Sequence, residues 1–129
     1  MRYSYDVTVP KDTPEAAAYE ERLRLDYGTL KQVIIRWRAG CHNRVFVAIY
    51  DGLLQIVPAA GTYALYADNL TMAIPMDWPI YSAPFELTGK FWSPETLFDH
   101  TISIWLDLEE QVETERVNVV EQMKHLLGL

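Results

Sequence analysis

Between positions 85 and 108 the chain reads FELTGKFWSPETLFDHTISIWLDL, and its side chains change character with a period of two. Phe85, Leu87, Gly89 and Phe91 alternate with Glu86, Thr88 and Lys90. Beyond the Ser93-Pro94 break, His100, Ile102, Ile104, Leu106 and Leu108 alternate with Thr101, Ser103, Trp105 and Asp107. Successive side chains of a strand point to opposite faces, so the pattern predicts two half-buried strands and a connector. A chain built this way must cover one face of a sheet with something apolar.

The same reading extends upstream. Tyr3, Tyr5, Val7 and Val9 form an alternating strand closed by Pro10, which cannot donate to a ladder. Thr13 and Pro14 could cap a two-turn helix over the following alanines and glutamates, or the piece could be an ordered crossover loop. Leu23, Leu25 and Tyr27 alternate again. Over residues 30–38, Val33, Ile35 and Trp37 take one face and Ile34, Arg36 and Arg38 the other, which makes Trp37 a core residue. Residues 45–50 are apolar on both faces, as expected of a central strand covered on both sides. Asp51-Gly52 then signals a hairpin into residues 53–57. Prolines and glycines break residues 58–84 into short pieces: strands at 63–66 and 70–74, and an aromatic connection at 76–81. The sum is an all-β chain of about eight short strands, the pattern of a β-sandwich, jelly-roll-like in its strand count.

After Leu108 the period changes to that of a helix. Glutamates load its start, Lys124 and His125 lie near its end, and Val112, Val119, Val120, Met123, Leu126 and Leu127 share one face. Residues 1–110 are therefore expected to form the sandwich. Residues 111–129 are expected to form a C-terminal amphipathic helix, either part of the same domain or an oligomerisation arm.

Charge and composition narrow the function. A net charge of -7 and a pI near 4.8 oppose phosphate-backbone binding, which needs clustered Lys and Arg. The start lacks the basic and apolar regions of a secretory signal, and no segment approaches the roughly 18 apolar residues of a membrane span. With Cys41 as the lone cysteine, no internal disulfide can form. The expected location is a virion if the protein is viral, and otherwise the cytoplasm.

Two dyads invite a chemical reading, Asp99-His100 and Cys41-His42, but neighbours on a strand face opposite ways and no nucleophile motif accompanies them. His42, His100 and His125 lack metal-ligand spacing, so no catalytic residue, metal or cofactor is expected, and a cupin-type metalloenzyme would lack its histidine cluster. The aromatics say more. Trp105 faces away from the isoleucines of its strand, and Trp78, Tyr81 and Trp92 fall in or beside loops. Rings so placed are covered by another copy or stack on a sugar. The expected contact residues are Trp105, Val119, Val120, Met123, Leu126 and Leu127, with Trp78, Tyr81 and Trp92 as the alternative ligand platform.

Short strands, aromatic-rich loops and the lack of a catalytic signature over residues 3–108 resemble the single-jelly-roll structural proteins of phage and virus particles. The resemblance implies a non-enzymatic subunit that self-associates or joins other assembly proteins, while the acidic charge and the lack of a long apolar run imply no nucleic-acid or membrane partner. The alternative expectation is a carbohydrate-binding sandwich module.

Overall fold

Alternation buries one row of side chains per strand, and two such sheets close on each other. In the computed structural model, which describes residues 1–59 and 63–110, nine strands form two antiparallel sheets. The strands are β1 (Arg2–Val9), β2 (Tyr19–Arg24), β3 (Gly28–Trp37), β4 (Phe46–Asp51), β5 (Leu54–Val57), β6 (Leu65–Tyr66), β7 (Leu70–Ile80), β8 (Glu86–Trp92) and β9 (His100–Glu110). One sheet runs β1-β9-β3-β7. The other runs β2-β8-β4-β5, with β6 also pairing with β4. The helix expected over 111–129, with its stripe from Val119 to Leu127, lies outside the described residues. Among those described, no helix is long and apolar enough to cross a membrane.

The core lies between the sheets. Trp37, Ile35 and Val33 of β3, Ile102, Ile104 and Leu106 of β9, Leu23 of β2, Ile49 of β4, and Leu87 and Phe91 of β8 are almost completely excluded from solvent. The indole N–H of Trp37 donates to the carbonyl of Val45 at 3.0 Å, so the largest core side chain buries no unmet donor.

Three expectations change. The piece after Thr13 is a single 3-10 turn (Glu15–Ala17) followed directly by β2, because two turns of isolated helix are marginal and the strand finds a partner in β8. The fragments expected at 70–74 and 76–81 are one strand, β7. Pro75 and Pro79 are tolerated because β7 is the edge of its sheet, where one row of backbone groups has no ladder to make. The hairpin after β4 has Gly52 and Leu53 as its central residues, with Asp51 opposite Leu54; only Gly52 needs positive φ (60°), the arrangement in which glycine takes the first turn position. The strands β8 and β9, consecutive in the chain, lie in different sheets and do not pair with each other. Their connector crosses between the sheets.

Candidate interaction site

The connectors β1–β2, β3–β4, β6–β7 and β8–β9 gather at one end of the sandwich, and their polar residues knit them together. Ser93, buried at the end of β8, donates its hydroxyl to Pro10 O at 2.7 Å. Asp12 N–H donates to Thr96 Oγ1 (2.9 Å), while the Asp12 carboxylate accepts from Glu95 N–H (3.0 Å). Thr96 in turn donates to Ser93 O at 2.8 Å, and Asp99 accepts from Lys11 N–H at 2.8 Å. On the other side Arg44 Nη1 reaches Glu95 Oε2 at 2.9 Å. The β8–β9 connector is therefore pinned on both sides of residues 97 and 98.

Those two residues are Leu97 and Phe98, 79% and 72% exposed. Beside them is a cavity of about 410 Å³ between the 40–44 turn and the 95–100 connector. The turn is set by Asp68, whose Oδ1 accepts from the N–H groups of Gly40 and His42, each at 3.0 Å. The His42 N–H, followed by that of Gly40, holds the Asp68 carboxyl below its ordinary range. A depressed carboxyl stabilises the fold above the ordinary aspartate pKa, about 3.9, and that contribution is lost as pH falls through the folded value. Acid titration of stability should therefore be shallower in Asp68→Asn than in the parent below about pH 4. Identical acid limbs would deny Asp68 this role.

The two dyads of the sequence meet in this cavity, which Cys41, His42 and His100 all line. Burial, followed by the Asp68 carboxylate, pushes the Cys41 thiol up, and Asp99 is turned to the backbone of Lys11. Both arrangements work against thiolate or carboxylate–imidazole chemistry. Among the described residues, no group of three His, Cys, Asp or Glu side chains is placed to hold a metal.

Trp105 lies half-buried on the outer face of the four-stranded sheet, opposite Ser4 on β1 and Ile34 on β3. Two residues along β9, Asp107 forms an ion pair with Arg2 of β1.

The three rings expected to form one platform are separated. Trp78 sits on edge strand β7, packs against the core, and donates its indole N–H to Asp51 at 2.7 Å. Tyr81 stacks on Tyr27 with centroids 5.1 Å apart and bonds to Thr29. Trp92 alone reaches an open aromatic surface, on the outer face of the five-stranded sheet. There it lies parallel to Phe46 (5.9 Å, 11°), and Phe46 meets Tyr66 at 5.4 Å. These rings, with Tyr50, Tyr63 and Gln55, line a cleft of about 520 Å³. The apolar second face of β4, read from sequence as full burial, is the floor of this cleft.

No protein-family model matches the chain, and no curated protein matches it by sequence. Among solved structures it is similar to Fe(II)-HppE with an alternative substrate (8% identity, TM-score 0.41, 82% of this chain and 42% of that one). It is also similar to hydroxypropylphosphonic acid epoxidase from S. wedmorenis in complex with fosfomycin (10%, 0.39, 81% and 42%). A third similarity is to a family two carbohydrate esterase from Cellvibrio japonicus (8%, 0.36, 84% and 35%). The chain spans less than half the length of each.

Proposed function

We propose that this protein is a non-enzymatic assembly subunit that self-associates through the loop end of its sandwich. The observation that carries the reading is the rigid display of Leu97 and Phe98. Their flanks are fixed by hydrogen bonds to Asp12, Lys11 and Ser93, so neither residue can fold inward without breaking that network. Leaving a leucine and a phenylalanine in water forgoes about 1.5–3 kcal/mol of burial for each. A contact that buries them recovers it. The cavity beside them makes the patch both knob and hole, which a two-fold contact between identical copies requires. Arg44 and Glu95 stand at its rim, and a charge pair there can set the orientation of the partner copy.

Strand order supports a jelly-roll reading of the sandwich. Strands β1, β3, β7 and β9 fall in one sheet and β2, β4, β5 and β8 in the other, as when one long folded ribbon wraps around a core. Such a wrap brings four connectors to one end, where a single network can hold them.

Light scattering over a range of concentrations tests the proposal. The parent chain is expected to be oligomeric, and Phe98→Asp should weaken association at least about tenfold, since an aromatic anchor at the centre of an interface is commonly worth about 2 kcal/mol or more. An exposed substitution of this kind should leave thermal stability nearly unchanged. A parent that stays monomeric to about 0.5 mM would remove the proposal. A chain ending at Glu110 that dissociates while Phe98→Asp does not would move the contact to the stripe from Val119 to Leu127.

A further inference from the structure

We infer that the aromatic cleft on the outer face of the five-stranded sheet binds neutral carbohydrate, at a site separate from the loop-end contact. Phe46 and Trp92 lie parallel on adjacent strands, a cross-strand ring pair held in register by β4–β8 pairing. Tyr66 leans on Phe46 from β6, and Tyr63 stands at the margin; the two are 55% and 70% exposed. The margin is not loose. Gln55 accepts from the Tyr50 hydroxyl at 2.9 Å and donates to the carbonyls of Pro58 and Tyr63 at 2.9 and 2.7 Å, which fixes the Tyr63 backbone against β5. The ring surface is thus prepared before any ligand arrives.

The chemistry of the lining selects among ligands. Sugar rings carry an apolar C–H face that stacks on aromatic rings, and hydroxyls at the edge that donate and accept hydrogen bonds. The cleft offers ring faces in its floor, tyrosine hydroxyls at its margin, and the Glu15 carboxylate, a pure acceptor suited to paired hydroxyl donors. Among the described residues Glu15 is also the one charged residue of the lining, so an anionic sugar would meet repulsion. Lys90, on the same face, does not offset this. Its ammonium lies 4.6 Å from the centre of the Tyr50 ring and 3.6 Å from Glu20. A proline-rich segment could stack on the same rings, but prolines bring carbonyl acceptors and no N–H donors, and a carboxylate cannot bind those.

Isothermal titration of the full chain against cellohexaose, maltohexaose, xylohexaose and mannohexaose tests the inference, with an oligogalacturonate and a decaproline peptide in parallel. Saturable binding of at least one neutral hexaose is expected. Tyr66→Ala and Trp92→Ala should each weaken it about tenfold or more. Because Tyr66 is largely exposed, its variant should melt with the parent, which separates lost binding from lost folding. Silence toward all four neutral sugars would overturn the inference. So would stronger binding of the oligogalacturonate or the peptide, or unchanged affinity in Tyr66→Ala. Phe98→Asp, which disrupts the loop-end contact, should leave the sugar titration unaltered.

Discussion

Replacing Trp37 with alanine is expected to destabilise the protein by about 3–5 kcal/mol, the range for large aromatic truncations in a core. Trp37 is completely buried at the end of central strand β3, between Ile102 of β9 and Leu70 of β7 in the ladder. Alanine leaves a void at that point, and it also strips the Val45 carbonyl of its donor, 3.0 Å away in a buried place. The unmet buried acceptor accounts for about 1–3 kcal/mol of that loss. Much of the stability of a domain this size, about 5–15 kcal/mol, would be lost. Urea unfolding followed by far-ultraviolet circular dichroism reads the change as a lower midpoint. Trp37→Phe should recover the packing but not the hydrogen bond, and so fall between the two. A Trp37→Ala midpoint within error of the parent would refute the placement of this ring.

The second large effect is expected at Gly28, where β3 begins. A Cβ built there would stand 2.5 Å from the backbone oxygen of Glu109 and 3.1 Å from Leu108 Cγ. Glycine lets β3 and β9 approach, because backbone cannot yield as the tip of a flexible side chain can. Gly28→Ala should therefore cost about 1–3 kcal/mol, the range for overpacking. The loss should be local as well as global, with faster amide exchange at the end of β9, since Gly28 pairs with Glu110 there and with Ile80 on β7. Unchanged exchange at residues 107–110 would mean that the strands separate without cost.

Much of the fold can be read from the sequence because alternation is local. Trp37, Ile102, Ile104 and Leu106 declare their burial within a few residues of themselves. Partner choice is another matter: β8 and β9 are neighbours in the chain yet belong to opposite sheets, since each pairs with strands far away. The length of β7 was hidden by prolines that only an edge position tolerates. At the interaction site, the sequence gives no sign that Leu97 and Phe98 face outward. Two apolar residues in a connector read the same whether buried or displayed, and only the bonds from Asp12 and Lys11, over 80 residues upstream, decide it. Trp92 could be picked out as a ring beside a loop. Its companions Phe46 and Tyr66 come from other strands, and in sequence Trp78 reads the same as Trp92, although on β7 it packs against the core.

The position of β9 between β1 and β3 bears on how the chain comes to be folded at all. Among the described strands, β4–β5 is the only pairing of consecutive strands; every ladder of the four-stranded sheet joins distant segments. On a ribosome adding about 5–20 residues per second, β3 would emerge several seconds before the strand that completes its ladder. During that interval the edges of β1 and β3 are open to any other nascent strand. Slow, late closure is what such a topology imposes, and it makes β9 a gate on the yield of folded protein.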